Sequence, residues 1–277
     1  MKEEIFFTEK EINTLYDLKD YIKDIYCLLE KSPTDIPSDI NIIDINNKIA
    51  DSFFRGHSKE SYELKSTLER EINAQNIINL TKEKYDEIQK SYLLKCKQLL
   101  RGKIPEQGLL LTDNFDDEIW AIGQHFGLKT PLLDWTYSFN IALFFAFKEP
   151  NKSSTNSDSE YRVIYHLRMP IIDTDRIKIF EPKFDVGGRI NAQQGVFTKY
   201  LYSEFKNIIQ DIYKSIPEHL DKNTLTKIKI KSSLRNKVIS YLNEMNINNS
   251  TLFPDIAGAI MDCHLHLDNI LEEEHLD

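Results

Sequence analysis

Cysteine, glycine and long apolar runs are all scarce in this 277-residue chain. Its three cysteines, Cys27, Cys96 and Cys263, are too few and too dispersed for a disulfide framework, and an odd number suits a reducing compartment. The longest apolar stretch, residues 140–147, is far shorter than the ~18 residues that a membrane span needs, and no export signal is visible. We therefore expect a cytoplasmic protein with no membrane partner, and the Lys-, Ile- and Asn-rich composition suits a bacterial source.

An excess of basic charge is also missing. The chain has 35 Lys and Arg residues against 44 Asp and Glu residues, so a broad basic face for nucleic acid is not expected. The signatures of P-loop and Rossmann sites, the GxSxG elbow of α/β-hydrolases and the HExxH of zincins do not occur. Asp262, Cys263, His264 and His266 carry metal-ligating side chains, but no second ligand pair with zinc spacing accompanies them, so we expect no metal site.

Apolar periodicity and turn residues divide the chain into helices and strands without a regular βαβ rhythm, which is typical of the α+β class. We expect a small mixed or antiparallel sheet flanked by N- and C-terminal helices. Predicted helices cover residues 8–31, 85–100, 116–126, 140–147, 235–245 and 255–271, with one more starting near residue 66. Predicted strands cover residues 52–58, 161–167, 176–180 and 227–230, with a strand pair at 189–198.

The predicted domain boundaries follow from two polar stretches. A connector with two prolines at residues 32–39 separates an N-terminal helical extension, residues 1–48, from an α+β domain, residues 49–260. The polar loop at residues 150–160 is the stretch that we expect to be disordered. Residues 261–277 are assigned to the end of the closing helix and a tail.

Arg55 lies between two phenylalanines and a glycine at the end of a predicted strand. An arginine presents a planar, always charged fork that suits a phosphate or carboxylate, and Gly56 would let a ligand approach the backbone. The alternative is a structural ion pair between Arg55 and a carboxylate of the core.

The densest polar segment is residues 120–136, where hydrogen-bonding side chains stand among large apolar ones. Burial obliges such groups to find partners, so a polar network is expected. Three roles are open for Asp134, which could fix the tautomer of His125, hold Arg55, or cap the helix that follows Thr136. The other polar members of the segment are Gln124 and Thr130.

A third segment, residues 188–195, brings amide and guanidinium groups together. The side chains of Arg189, Asn191, Gln193 and Gln194 could orient an amide- or ribose-bearing ligand. If the segment is a strand, the first three share one face and Gln194 lies on the other. The alternative is a solvent-facing edge strand. A fourth segment, residues 251–258, reads as a turn in which Asp255 caps the last helix.

Together these segments resemble the FRG domain family, which is named after the Phe/Tyr-Arg-Gly triplet seen here as Phe54-Arg55-Gly56. The likeness extends over about residues 50–260. Its other motifs are Gln124-His125-Phe126-Gly127 with Thr130, Leu132 to Thr136, Ala142 to Ala146, Arg189 to Phe197, and Leu252 to Asp255. The chain departs from the family at Pro131, where an arginine usually follows the threonine. If that arginine contacts the ligand or pairs with Asp134 in the family, this chain must do without it or use Lys129.

The motif order is also similar to the ADP-ribosyltransferase plan, which implies an ADP-ribosyltransferase-like core and NAD as the candidate substrate. By that resemblance, Arg55 clamps phosphate or ribose, Thr136 lies under the nicotinamide ribose, and Gln193 or Gln194 takes the late-strand position. Cleavage builds positive charge on the sugar, which Asp134 could stabilise, while His125 could serve as acid, base or hydrogen-bond donor. The candidate catalytic residues are His125, Asp134 and Gln193, and the candidate NAD-binding residues are Arg55, Gly56, Gln124, Thr136, Arg189 and Gln194.

The function that this resemblance implies is an NAD-utilising ADP-ribosyltransferase-like or NAD-cleaving protein, for example a bacterial toxin or anti-phage effector. Its acceptor would be a protein or a nucleic acid. Three alternatives stay open, namely a non-catalytic nucleotide- or ligand-sensing module that regulates a partner, a metal-independent hydrolase or nuclease, and a purely structural interaction protein. Convergence of the candidate side chains on one cleft would favour a shared catalytic role. The oligomeric state does not follow from the sequence.

Overall fold

The computed structural model describes residues 8–26, 52–75, 80–104, 106–150, 160–168, 177–200 and 225–274. In these residues a seven-stranded mixed sheet is combined with helices, which confirms the α+β class. Cys27, the connector at residues 32–39 and residues 151–159 of the predicted disordered loop lie outside the described residues.

The strands pair in the order β1-β7-β4-β2-β3-β6-β5. β1 is parallel to β7, and all other neighbours are antiparallel. The strands are β1 (Thr8–Ile12), β2 (Ser52–His57), β3 (Leu132–Thr136), β4 (Tyr161–Arg168), β5 (Ile177–Phe180), β6 (Gly195–Tyr200) and β7 (Leu225–Lys231).

Helices cover the sheet and extend beyond it. They are α1 (Leu15–Tyr26), α2 (Thr67–Ala74), α3 (Lys82–Leu100), α4 (Asp116–His125), α5 (Phe139–Phe147), α6 (Arg189–Ala192), α7 (Arg235–Glu244), α8 (Asn249–Leu252) and α9 (Ile256–Glu274). Short 3₁₀ turns lie at Gln107–Leu110, Asp113–Phe115, Val186–Gly188 and Ser232–Leu234.

The prediction of a helix from residue 8 is wrong for its first residues, which form β1. The side chain of Glu9 pairs with Lys227 at 3.3 Å and that of Glu11 with Lys229 at 3.1 Å, so alternate residues of β1 are held on β7. α1 begins one turn later, after Thr14. There the Thr14 hydroxyl accepts from the Asp17 N–H, and the Asp17 carboxylate accepts from the Thr14 N–H, each at 3.1 Å.

α5 is buried almost completely, as its apolar sequence predicts, and it packs against the centre of the sheet. Its N-terminus is capped by Ser138, whose hydroxyl accepts from the Ile141 N–H at 3.3 Å. Because neighbouring strand residues point to opposite faces, Phe54 joins the core around α5 while Phe53 joins a second cluster on the other face.

The sheet is split between β2 and β3. β2 pairs with β4 along six residues and β3 pairs with β6 along five, but β2 and β3 share only the Phe54–Thr136 pair in the described residues. Beyond that pair, residues 55–57 of β2 and residues 133–135 of β3 are not paired with each other as neighbouring strands of a sheet would be. The backbone polar groups that face the split must therefore find other partners.

The predicted strand pair at residues 189–198 is wrong in its first half. Residues 189–192 form the one-turn helix α6, and only Gly195 onward is a strand, β6. The cause lies just upstream, where Gly187 and Gly188 take left-handed φ angles of 82° and 75° and turn the chain. The carboxylate of Asp185 then accepts from the N–H groups of residues 190 and 191, at 2.9 and 2.8 Å, which favours a helical turn.

Candidate functional site

Arg55 bridges the split in the sheet. Its Nη1 donates to the backbone oxygen of Asp134 at 2.6 Å and lies 3.3 Å from Oδ2 of the same residue, while its Nε donates to Nε2 of His57 at 3.0 Å. Arg55 thus supplies a partner to a β3 carbonyl that β2 leaves unpaired. Of the three roles that the sequence left open for Asp134, contact with Arg55 is the one observed.

Asp134 stands at the rim of the split with an exposed carboxylate. Its side chain is 58% exposed, against 17% for Arg55. Gln124, near the end of α4, donates to Oδ1 of Asp134 and accepts from the hydroxyl of Thr130. Thr130 is in turn fixed to α2, because its N–H donates to Oγ1 of Thr67 at 2.8 Å. The predicted polar network therefore exists, and it orients a carboxylate toward solvent beside a fixed cation.

Lys129 does not take the place of the arginine that the resemblance implies at position 131. Its Nζ pairs with the carboxylate of Glu71 at 2.5 Å, and it makes no described contact with Asp134. Pro131 itself is buried. Arg55 is thus the one cation paired with Asp134 in the described part of the chain.

Thr136 belongs to a second, internal network. Its hydroxyl donates to the backbone oxygen of Gln193 at 2.7 Å and accepts from the Ser138 N–H at 3.1 Å. The side-chain amide of Gln193 donates to the backbone oxygen of Leu252 at 2.9 Å. Thr136 is buried, so these contacts join the end of β3 to the turn before β6 and to α8.

Gln194 and Gln193 therefore have different surroundings. Gln193 lies at the end of α6 rather than on a strand, and its amide donates to the backbone oxygen of Leu252, the last residue of α8. Gln194 is exposed, has a left-handed φ of 46°, and accepts from the Tyr137 N–H through its backbone oxygen at 3.1 Å. It is the residue that immediately precedes β6.

His125 turns away from Asp134. Gln124 and His125 are consecutive on α4, so their side chains diverge by about 100°. His125 packs near Gly187, where a Cβ would lie 3.1 Å from its ring carbon Cε1. Burial and the Arg189 guanidinium lower the pKa of His125, against the opposing effect of the Asp255 and Asp185 carboxylates.

Arg189 forms a latch with the last helix. Its Nε and Nη2 donate to Oδ2 of Asp255 at 3.1 and 2.7 Å, and its guanidinium carbon lies 5.1 Å from the centre of the Phe253 ring. Asp255 also accepts from the Gly258 N–H at 3.1 Å, which confirms its predicted role as a helix cap. Arg189 and His125 are thus neighbours at the α6–α9 side, whereas Arg55, Gln124 and Asp134 contact one another at the split.

The open side of Gly56 is filled by protein. A Cβ at this position would overlap the carbonyl oxygen of Ala142 and lie 2.7 Å from the backbone N of Ala146. The sequence-based explanation of Gly56 as a place where a ligand approaches the backbone is therefore replaced by close packing of β2 on α5.

The sequence did not single out His57, which contacts Arg55 directly. Its position two residues after Arg55 is the signal that could have found it, because residues i and i+2 of a strand lie on the same face.

A cleft of about 340 Å³ lies away from the split, between α3 and α4. Of the lysines that line it, Lys97 is already paired with Asp113 at 2.9 Å and with Asp116 at 2.5 Å. The cleft shares no lining residue with the Arg55 network. The cavity between α3 and α4 and the side chains suited to binding an anion therefore lie in different parts of the structure. We assign the site to the split, because an exposed carboxylate there faces solvent beside a fixed guanidinium.

Neither a cluster of metal-ligating side chains nor a membrane-spanning helix occurs in the described residues. Among them, no three His, Cys, Asp or Glu side chains are grouped so that they could hold a metal ion. None of the described helices has both the length and the apolarity that crossing a membrane requires.

Comparison with known families gives one match. Residues 50–155 match the model of the FRG domain, which spans β2, β3 and α5 and therefore the whole Arg55 network. The segments around Arg189 and Asp255 lie beyond the matched residues. Neither the curated proteins nor the solved structures gave a match.

Proposed function

Since the chain carries an FRG domain at residues 50–155, we propose that this domain binds NAD at the split between β2 and β3 and cleaves its nicotinamide–ribose bond. The observation that carries the proposal is the pairing of Arg55 with the exposed carboxylate of Asp134 at that split. An anion-binding fork and a negative charge beside it are the two groups that this reaction needs.

The sheet order supports the proposal. The strand with Arg55, the strand with Asp134 and Thr136, and the late strand β6 are adjacent in the order β2-β3-β6. These are the three segments on which the resemblance to ADP-ribosyltransferases rests. Gln194 precedes β6 and is exposed, whereas the amide of Gln193 is engaged with Leu252, so we assign the late-strand role to Gln194.

The chemistry assigns a role to each group at the split. Nη2 of Arg55 has no hydrogen-bond partner among the described residues, so its two N–H groups are available to a phosphate or ribose oxygen of NAD. As the C–N bond breaks, its electron pair leaves with neutral nicotinamide, and the positive charge that develops on the ribose is stabilised by the Asp134 carboxylate. Water or an acceptor nucleophile then bonds to the ribose carbon and loses a proton.

His125 is turned toward Gly187 and Arg189 rather than toward Asp134, so in this proposal it contacts an acceptor that enters at the α6 side and does not touch the reacting ribose. The proton of the nucleophile is released to solvent. Arg189, which neighbours His125, is held by Asp255, so we assign it to positioning of the α6 turn rather than to NAD. The acceptor is a protein or a nucleic acid in this proposal, and water in its hydrolase form.

The decisive experiment measures nicotinamide release from NAD by the full chain, with and without cell lysate as a source of acceptor. Asp134→Asn keeps the size of the side chain but removes its charge, and its single amide oxygen can accept only one of the two bonds that Arg55 and Gln124 donate to the carboxylate. Asp113→Asn is the matched control, because Asp113 also carries a carboxylate paired with one cation but lies in the 3₁₀ turn before α4, at the cleft with Lys97. Arg55→Ala removes the anion-binding fork.

The expected result is release by the wild type and by Asp113→Asn, a fall of about a hundredfold or more in Asp134→Asn, and loss of NAD binding in Arg55→Ala. Stimulation by lysate would favour transfer over hydrolysis. NAD binding without release in the wild type would favour the alternative function, a nucleotide-sensing module. Absence of both binding and release would refute an NAD site.

The proposal extends to where the protein works. We place it in the cytoplasm, where NAD is abundant and where the reducing conditions suit a chain with few cysteines. Cleavage of NAD or modification of an acceptor by a toxin or anti-phage effector is the form of the activity that the resemblance implies.

A further inference from the structure

We infer that His57 is the positioning residue of Arg55, which it holds across the split as a neutral imidazole with a single fixed tautomer. This inference deepens the proposed function, since it concerns the group to which the anionic part of the ligand would bind. It rests on the contacts of both ring nitrogens and on the burial of the ring.

The hydrogen bonds of His57 determine which nitrogen carries the proton. Nε of Arg55 can only donate, so Nε2 of His57, 3.0 Å away, must be the unprotonated acceptor. Nδ1 lies 3.2 Å from the backbone oxygen of Tyr62, which can only accept, so Nδ1 must carry the hydrogen. The two neighbours together leave one consistent state, the neutral Nδ1–H tautomer.

The surroundings of the ring exclude the charged form. His57 is buried, and its ring stands edge-on to Tyr62 and Tyr165 with ring centres 6.2 and 5.3 Å apart. Burial, reinforced by the neighbouring Arg55 guanidinium, lowers the pKa of His57 to about 3. A protonated ring would also turn an N–H toward the Nε–H of Arg55, which would break the contact.

The consequence for Arg55 is a fixed guanidinium plane. Nε is held by His57 and Nη1 by the Asp134 backbone, so two points on opposite edges define the orientation of the fork. Nη2 is then the edge that remains for an anion. An arginine held in this way loses less conformational freedom when a ligand binds, and the N–H groups of Nη2 can donate to an anion without rearrangement.

Three variants test the inference. His57→Gln can keep both contacts, because an amide oxygen accepts from Nε of Arg55 and the amide N–H₂ donates to the Tyr62 oxygen. His57→Leu removes both contacts at similar volume. His166→Leu is the matched control, since His166 is equally buried in the neighbouring strand β4, has a pKa that burial also lowers to about 3, and contacts Ser52 rather than Arg55.

The first readout needs no ligand. NMR of ¹⁵N-labelled full-length chain reports the His57 tautomer and the hydrogen-exchange rate of the Arg55 Nε–H, with the signal assigned by its loss in Arg55→Lys. We expect a protonated Nδ1 and slow Nε–H exchange in the wild type, in His57→Gln and in His166→Leu, and exchange faster by about tenfold or more in His57→Leu. A protonated Nε2, or equal protection of the Arg55 signal in His57→Leu, would overturn the inference.

The second readout separates this inference from the NAD site. Titration with NAD should give an apparent dissociation constant about tenfold or more higher in His57→Leu, with recovery in His57→Gln and no change in His166→Leu. Equal weakening in His57→Leu and His166→Leu would show a general loss of packing and refute the positioning role. If the wild type binds no NAD, the proposed function fails, and the NMR readout alone decides whether His57 fixes Arg55.

Discussion

Replacing Gly56 by alanine separates the packing role of this glycine from a ligand-binding role. The added methyl group would overlap the Ala142 carbonyl and lie 2.7 Å from the backbone N of Ala146, both in the buried helix α5. Side-chain rotation cannot relieve this overlap, because a Cβ is fixed by the backbone and its obstacles are main-chain atoms. β2 and α5 must therefore move apart, although they pack in the same core.

The expected cost is large for a single methyl group. Overpacking of a core typically costs ~1–3 kcal/mol, and the rigid obstacle puts Gly56→Ala at or above the upper end, about 3 kcal/mol. For a chain of this size that corresponds to a fall of about 6–12 °C in the midpoint of thermal unfolding. Circular dichroism during heating and during urea titration measures both quantities.

Gly108→Ala is the control for this substitution. A Cβ at Gly108 would meet nothing within 4 Å, and the residue does not have a left-handed backbone. Removing backbone freedom from the unfolded chain should leave Gly108→Ala unchanged or stabilise it by up to about 1 kcal/mol. A Gly56→Ala protein that melts with the wild type would refute the packing argument, and one that also loses NAD binding would restore the explanation in which a ligand approaches Gly56.

Three further predictions concern stability. Arg235→Met should lower the free energy of unfolding by about 3 kcal/mol in urea titration, because the buried guanidinium donates to the Glu149 and Lys148 carbonyls that follow α5, and unchanged stability would contradict this capping role. The buried His166 should make the free energy of unfolding fall as the pH is lowered. Because burial lowers its folded pKa to about 3, the unfolded chain alone takes up this proton between its ordinary value of 6.5 and about 3, and stability falls there by ~1.4 kcal/mol per pH unit. His166→Gln should reduce the slope of unfolding free energy against pH by that amount in urea titrations at several pH values, and an identical slope would show that His166 is protonated in the fold. Arg189→Lys should destabilise by about 1–2 kcal/mol in thermal unfolding, since lysine cannot reproduce the two bonds to Asp255 or the stacking on Phe253, and full stability would argue against the latch.

Local pattern was sufficient for the elements that pack by their own sequence. The helix at residues 140–147 was predicted because its residues are apolar all round, and the structure buries it as α5. β2 was predicted because Phe53 and Phe54 precede a glycine, and its alternation places these two rings in different cores. In both cases the information lies within about ten consecutive residues.

Predictions failed where a distant partner outweighed the local signal. Thr8 to Glu11 has the spacing of a capping box, but lysines of β7, more than 200 residues away, hold Glu9 and Glu11 in a strand. The strand predicted from residue 189 became a helical turn, since Asp185 satisfies its first N–H groups. A backbone that can be satisfied in two ways takes the one that its tertiary partners complete.

The site could be predicted as a set of residues but not as two separate networks. The polar segment at residues 120–136 predicted a hydrogen-bond network, because buried polar groups need partners. The sequence did not determine which of the possible partners Asp134 contacts. Helical geometry makes the choice, since Gln124 faces Asp134 and the next residue, His125, is then turned toward Gly187 and Arg189. The split between β2 and β3 has no sequence signature at all, because strand pairing is non-local. The split nevertheless gives the arginine of the Phe-Arg-Gly triplet a carbonyl to hold and leaves its remaining N–H edge for a ligand, and a triplet in a fully paired sheet would leave no such gap.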